Sequence, residues 1–261
     1  MTDAVDRELL KNYELKEKIG EGAYGVVWRA TCRATGEDAA IKKIYNAFVN
    51  ATDALRTFRE VVVLEAMRGS EYVTLLQEVI RAANDTDLYL VLELCSGDLL
   101  RRRKARQIAE EKIPYIFAQL LCAIESLHRR GVIHRDVKPA NILIDENCAV
   151  KLGDFGLARL VGDSDTLDRM EKLTDYVASR WYRAPELLLG SSTYGFSVDY
   201  WAAGCILAEM YLGAPLFEGN CNYEQLSIVL SYTGRPSDAE LSSVVLSDVT
   251  SLTQICKANR F

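Results

Sequence analysis

The hydrophobic period of this 261-residue chain changes once, and that change restricts the folds open to it. From Tyr13 to about Glu93, glycines punctuate short β-branched and apolar runs. Val26-Val27-Trp28, Ala39-Ala40-Ile41-Lys42 and Leu88 to Leu92 read as strands. Ala51 to Met67 interrupts them with a helical period in which Leu64 and Met67 follow Glu60 by four and seven residues. One carboxylate therefore points the same way as apolar neighbours. Beyond Asp98 the repeat is helical: Ile113-Ile116-Phe117-Leu120-Leu121-Ile124-Leu127 recurs at three- and four-residue steps and stops at Gly131. A second helix is predicted from a capping Ser197 to Gly213, with apolar residues in nearly every direction, as for a buried central helix. The fold class expected is α+β. A small β-rich lobe covers 13–93, a connection 94–96 and a larger helical lobe 97–261, and the cleft between lobes is where a small ligand would bind.

Composition narrows function by exclusion. Lys and Arg number 31 against 37 Asp and Glu, a net charge of −6, so there is no bulk attraction to nucleic acid or to an anionic membrane. A chain of this length, 49% hydrophobic, needs no disulfide or metal to hold a core. Its seven cysteines contain no CxxC pair and its two histidines are too few for ordinary zinc spacing. They read as reduced thiols of an intracellular chain. No basic start precedes an apolar stretch at the beginning, and the most apolar late run, 201–217, carries Glu209 in its middle. Neither export nor a membrane span is expected.

The run Ile19-Gly20-Glu21-Gly22-Ala23-Tyr24-Gly25-Val26-Val27 contains GxGxxGxV, in which residues without a Cβ let backbone amides approach phosphate oxygens. The same letters suit a dinucleotide fingerprint or a flexible hairpin. A dinucleotide site wants a helix next, whereas Val26 to Ala30 continues as a strand, so the hairpin form is favoured. Lys42 ends a strand 17 residues after Gly25, and an ion pair with Glu60 would hold its ammonium at phosphates. His134-Arg135-Asp136-Val137-Lys138-Pro139-Ala140-Asn141 then sets a carboxylate, an ammonium and a carboxamide within six residues, before the strand Ile142-Leu143-Ile144. Asp154-Phe155-Gly156 begins 18 residues after Asp136, and Ala184-Pro185-Glu186 follows. Each tripeptide means little alone, but the order and spacing match one catalytic signature.

In these motifs the chain resembles the eukaryotic protein kinases from about Tyr13 to Pro236. Thr174-Asp175-Tyr176 before Val177 to Glu186 looks like the dual-phosphorylation lip of mitogen-activated protein kinases. Asn50 to Glu60 is similar to their atypical extracellular-signal-regulated branch. The resemblance implies a two-lobed kinase fold and the cofactors ATP and Mg2+. Lys42, held by Glu60, would contact the α- and β-phosphates, Asp154 and Asn141 would hold magnesium, and Lys138 would neutralise the γ-phosphate. Asp136 would orient the substrate hydroxyl and take its proton. The glycine hairpin from Ile19 to Gly25, with Val27, Ala40 and Leu143, would enclose the nucleotide, and the backbone of Glu93 and Cys95 would bond adenine. Leu92 would control access behind it. Phosphate at Thr174 would be shared by Arg59, Arg135 and Arg159, and phosphate at Tyr176 by Arg180 and Arg183. Ser179 would bridge Asp136 and Lys138, and Asp199 would bond the catalytic-loop backbone. Substrates implied are proteins with Ser or Thr before Pro. The lip would be modified by an upstream kinase or by autophosphorylation, and the setting would be the cytoplasm, with or without the nucleus.

Two features depart from this pattern. Family members continue for several helices beyond Pro215 to Gly219, so the helical lobe is expected to be C-terminally truncated, leaving Glu186 buried without its usual arginine. A kinase-like module that binds without turnover, or an incomplete gene model, is the rival expectation. Arg101-Arg102-Arg103-Lys104 with Arg106 makes a basic cluster, read as a solvated helix face in preference to a docking or nuclear-import element.

Overall fold

The computed structural model describes residues 5–22, 25–161, 180–191, 194–237 and 239. The glycine-punctuated half forms an antiparallel sheet of β1 (Tyr13–Gly22), β2 (Gly25–Cys32), β3 (Asp38–Ile44), β4 (Leu76–Arg81) and β5 (Leu88–Glu93), in the order β1-β2-β3-β5-β4. Gly22 pairs with Gly25, so β1 and β2 are a hairpin and no helix follows the glycines. Register places Lys42 of β3 opposite Val27 of β2 and Leu90 of β5. The sheet is preceded by α1 (Arg7–Asn12), which sequence periodicity did not mark. Its Leu9 is buried beside Tyr13, Ile41, Tyr89 and Val91, and one anchor is too few to make a period.

Between β3 and β4 lies α2 (Ala51–Ala66), begun by Asn50, whose side chain accepts the Asp53 N–H at 2.8 Å. Its inner face buries Glu60, Val63 and Leu64, and Met67 caps it, as the spacing predicts. That face joins the main apolar core, which continues into the helical half through Ile116, Leu120, Ile124 and Leu127.

The second half contains α3 (Leu99–Lys104), α4 (Ile113–His128) and a set of short strands. Here β6 (Val132–Ile133) pairs with β9 (Arg159–Leu160), and β7 (Ile142–Ile144) with β8 (Val150–Leu152). Below them come α5 (Pro185–Leu188), α6 (Ser197–Leu212) and α7 (Asn222–Thr233). Pro114 falls in the first turn of α4, where its missing N–H costs nothing. Gly213 closes α6 at φ 73, a left-handed position that favours glycine. Ser197 is the first helical residue of α6 and not its cap, because Phe196 holds the cap position without a side-chain bond. Nor is α6 buried all round. Val198, Ala202, Ala203 and Ile206 face the core, and α4 and the turn at Arg180–Tyr182 pack against α6, while among the described residues Tyr200, Tyr211 and Leu212 are exposed. Among the described residues no helix is long and apolar enough to cross a membrane.

The halves are stitched at the edge of the cleft. The Thr74 N–H and hydroxyl both donate to the Leu152 carbonyl at 3.1 Å, and Ile144 N–H donates to Gly97 O at 2.9 Å. Strand β7 is thereby fixed directly below the connection that leaves β5.

Candidate active site

On the upper side, β3 sends Lys42 toward the buried Glu60 of α2, with 2.6 Å between Nζ and Oε1. The same Nζ lies 3.3 Å from Oδ1 of Asp154, which follows β8 in the other half. Burial opposes the charge on Lys42, but Asp154 and Glu60 outweigh it and hold the ammonium above the usual lysine range. Lys42 in turn draws Asp154 down to about 2. Burial pushes the Glu60 carboxyl up, against the pull of Lys42.

On the lower side, Asp199 at the start of α6 organises the loop between β6 and β7. Its two carboxylate oxygens accept the backbone N–H groups of His134 and Arg135, each at 2.8 Å, and His128 Nε2 lies 2.8 Å from Oδ2. A buried carboxylate satisfied this way can hold a strained backbone, and Arg135 indeed has φ 65. Within the loop Lys138 Nζ donates to Asp136 Oδ2 at 2.6 Å. Asn141 Nδ2 donates to the Asp136 carbonyl at 2.9 Å and to its Oδ2 at 3.2 Å. Gly153 N–H donates to the Asn141 carbonyl at 3.0 Å, and the His134 ring meets Gly153 O at 3.2 Å. These bonds tie Asp136 and Asn141 to the turn that carries Asp154, itself at φ 61.

Lys42, Glu60, Asp136, Lys138, Asn141 and Asp154 thus form one bonded set that spans the cleft. Ile19, Gly20, Glu21 and Gly22 lie on β1, Gly25 and Val27 on β2, Ala40 on β3, Glu93 on β5, Cys95 just beyond it and Leu143 on β7. Ala23 and Tyr24 lie outside the described residues. The glycines differ in what they do. A Cβ at Gly25 would lie 2.0 Å from the Lys43 carbonyl, so strand packing alone demands glycine there, whereas a Cβ at Gly22 would meet nothing within 4 Å. The Glu93 N–H, expected to face adenine, donates instead to Leu75 O at 3.0 Å.

Magnesium suits the oxygens of this site. Asp154 keeps an exposed, readily ionised carboxylate, and Asn141, with its amide nitrogen spent on Asp136, offers Oδ1 as a second hard donor. Among the described residues no three His, Cys, Asp or Glu side chains are grouped to hold a metal by themselves. Phosphate oxygens and water would complete the shell, as is usual for this ion.

Of the arginines expected to receive phosphate, Arg135 and Arg159 meet on the hydroxyl of Tyr194, and Arg59 lies one residue from Glu60 on α2. Arg180 is buried and donates to Asn222 Oδ1 at 2.9 Å and Asn220 O at 3.0 Å, and Arg183 is buried beside it. Thr174, Tyr176 and Ser179 lie outside the described residues. Glu186 is only partly buried, contrary to the expectation of a buried carboxylate, because it sits in the first turn of the short helix α5 near the surface. The basic cluster is also not one solvated face. Arg101 donates to the Ile19 carbonyl at the root of the glycine hairpin, and Arg103 lies 2.8 Å from the fully buried Glu209 and donates to Gly213 O at 2.6 Å. Glu209 also accepts the Tyr182 hydroxyl at 2.6 Å. A run of like charges hides such individual partners, which lie more than 80 residues away in sequence.

The family model described as a protein kinase domain matches residues 13–258. Over 244 residues the chain is 44% identical to "Extracellular signal-regulated kinase 2" of Dictyostelium discoideum, covering 93% of this chain and 66% of that protein. It is 48% identical over 241 residues to "Mitogen-activated protein kinase 15" of Mus musculus, covering 92% and 44%. The protein of that name from Caenorhabditis elegans is 43% identical over 248 residues, covering 94% and 53%. The chain therefore spans roughly half to just under two thirds of the length of these relatives.

Proposed function

The chain belongs to the protein kinase family, and from that premise we propose that it is a serine/threonine kinase of the mitogen-activated type, moving the γ-phosphate of MgATP onto Ser or Thr followed by Pro in proteins. The observation that carries this reading is the bonded set across the cleft: an ammonium from the upper sheet and an exposed carboxylate from the lower half, 3.3 Å apart, above a second carboxylate paired with its own lysine. Phosphoryl transfer asks for alignment and charge compensation more than for covalent chemistry, and these residues supply both.

Bound MgATP supplies the electrophilic phosphorus and a cation to offset charge on the leaving oxygen. Lys42, kept charged by its two carboxylates, neutralises the α- and β-phosphates. Asp154 and Asn141 would hold the metal. Asp136 accepts a hydrogen bond from the substrate hydroxyl and then its proton, leaving the oxygen free to attack. Lys138, 2.6 Å from Asp136, neutralises the γ-phosphate. Phosphate at Thr174, received by Arg59, Arg135 and Arg159, and phosphate at Tyr176 would order the lip and raise activity. The names of the relatives support the mitogen-activated type and its protein substrates.

The test is label transfer from γ-labelled MgATP to paired Ser-Pro and Ser-Ala peptides. The reading expects the Ser-Pro peptide to be labelled and the Ser-Ala peptide to lag at least tenfold, on the order of the loss when one specificity contact is removed. Equal labelling would remove the proline preference, and no labelling would remove the kinase reading.

A further inference from the structure

Strand β1 is an edge of the upper sheet, with a strand neighbour, β2, on one side only. Its pairing slips between Lys18, opposite Trp28, and Gly20, opposite Val27, so the register leaves no residue opposite Ile19. A bulge of this kind bends a strand and re-aims the groups it carries. The Ile19 carbonyl accepts a hydrogen bond from Nη2 of Arg101, which comes from α3 in the lower half.

The guanidinium is itself held from below. Asp98 Oδ2 lies 3.2 Å from Arg101 Nε, Asp98 Oδ1 accepts the Arg101 backbone N–H at 2.8 Å, and Asp98 forms a bridge with Leu143 of β7. The contacts Leu143–Asp98–Arg101–Ile19 therefore run from the lower wall of the cleft to the upper one, and both end residues belong to the set expected to enclose the nucleotide. Lys42 and Asp154 join the halves at β3, two strands further in, whereas Arg101 joins them at the edge. The Arg101 side chain is 61% exposed, so burial does not account for its placement. A planar guanidinium does: its fixed fork serves a carboxylate and a carbonyl at once.

We propose that Arg101 is a positioning residue that tethers β1 to the lower half, and that this tether sets how long a nucleotide stays bound. A strand held by one neighbour moves more readily than one held by two, and affinity at a site of this kind is tuned mostly through the rate of release. This rests on the nucleotide site read above and adds to it a residue that belongs to none of its motifs.

The test uses the whole chain with Arg101→Met, which keeps an unbranched stem and removes the fork, and Arg101→Lys, which keeps the charge. Amide hydrogen exchange over residues 16–22 is measured without nucleotide, and MgADP dissociation is followed by surface plasmon resonance. In Arg101→Met, exchange quickens and MgADP leaves roughly 2- to 10-fold faster, the range for one lost hydrogen bond, while Tm stays within about 4 °C of wild type. Arg101→Lys falls between the two in both readouts, because its ammonium lacks the fork. Unchanged exchange or an unchanged release rate in Arg101→Met overturns the proposal. So does a wild-type release rate in Arg101→Lys while its exchange stays fast, since the charge alone would then hold the nucleotide. A wild-type chain that binds neither MgADP nor MgATP would instead sink the kinase reading, and exchange over 16–22 would still decide whether Arg101 holds β1.

Discussion

The Lys42 ammonium meets the Glu60 carboxylate at 2.6 Å inside the upper lobe, although 18 residues and a change from strand to helix separate them. With Asp154 3.3 Å away on the other side, Lys42 lies between two carboxylates of unlike environment: Glu60 is buried, and Asp154 is half exposed. That asymmetry decides how the site responds to pH.

Lys42 is raised, so its contribution to stability is complete below the ordinary lysine value and is lost only above the lysine range. Asp154 is depressed, so its contribution is present above the ordinary value of 3.8 and fades only as pH falls through about 2. Glu60 runs the other way. Its proton affinity is raised above the ordinary 4.5 by burial, so taking up a proton as pH falls relieves burial and favours the folded state, yet undoes the pair with Lys42. As pH is lowered toward the ordinary glutamate range, titration calorimetry is expected to find MgATP binding weakening while Tm does not fall on account of Glu60. Glu60→Gln should bind weakly at every pH and lose that slope. An unchanged slope in the variant would place the titration elsewhere.

The glycines of the hairpin should separate packing from ligand approach. Gly25→Ala drives a Cβ to 2.0 Å from the Lys43 carbonyl and so must spread β2 from β3. A loss of about 3 kcal/mol or more is expected, a Tm drop of roughly 6 to 12 °C. Gly22→Ala meets nothing and should leave Tm unchanged while weakening nucleotide binding. Equal thermal melts for the two variants would refute this division.

Asp199 should be worth more than its distance from the cleft suggests. Asp199→Ala orphans the N–H groups of His134 and Arg135, at about 1 to 3 kcal/mol for each buried donor left unpaired. Asp199→Asn keeps one acceptor oxygen and should recover part of both Tm and kcat. Chemical denaturation with parallel turnover measurements checks the order wild type, Asn, Ala. An alanine variant matching wild type in both would mean that the loop holds itself.

Much of this was legible in the residues. Glu60 could be placed inward because Leu64 and Met67 repeat at helical steps on its side, and the strand after Gly25 excluded the helix that a dinucleotide site wants. The pairing of Asp199 with the loop backbone came only from family resemblance, since one aspartate at the head of an apolar helix has no period to mark it. Tyr194 carried no signal at all. Its meeting with Arg135 and Arg159 depends on β6 and β9 lying side by side, and two-residue strands are too short to leave an alternating pattern. Arg103 was obscured by its neighbours, because four successive basic residues look solvated whichever of them turns inward to a buried Glu209.

The central claim is that these side chains converge on one MgATP to move its terminal phosphate, and single-turnover transfer in wild type and Asp136→Asn tests it most directly. The account predicts that wild type passes label from γ-labelled MgATP to a Ser-Pro peptide. The variant, with its Lys42 ammonium and its Asp154 and Asn141 oxygens intact, should bind MgATP as tightly but transfer on the order of a hundred- to a thousand-fold more slowly. Transfer by Asp136→Asn at the wild-type rate, or tight MgATP binding by wild type with no label on the peptide, would contradict it.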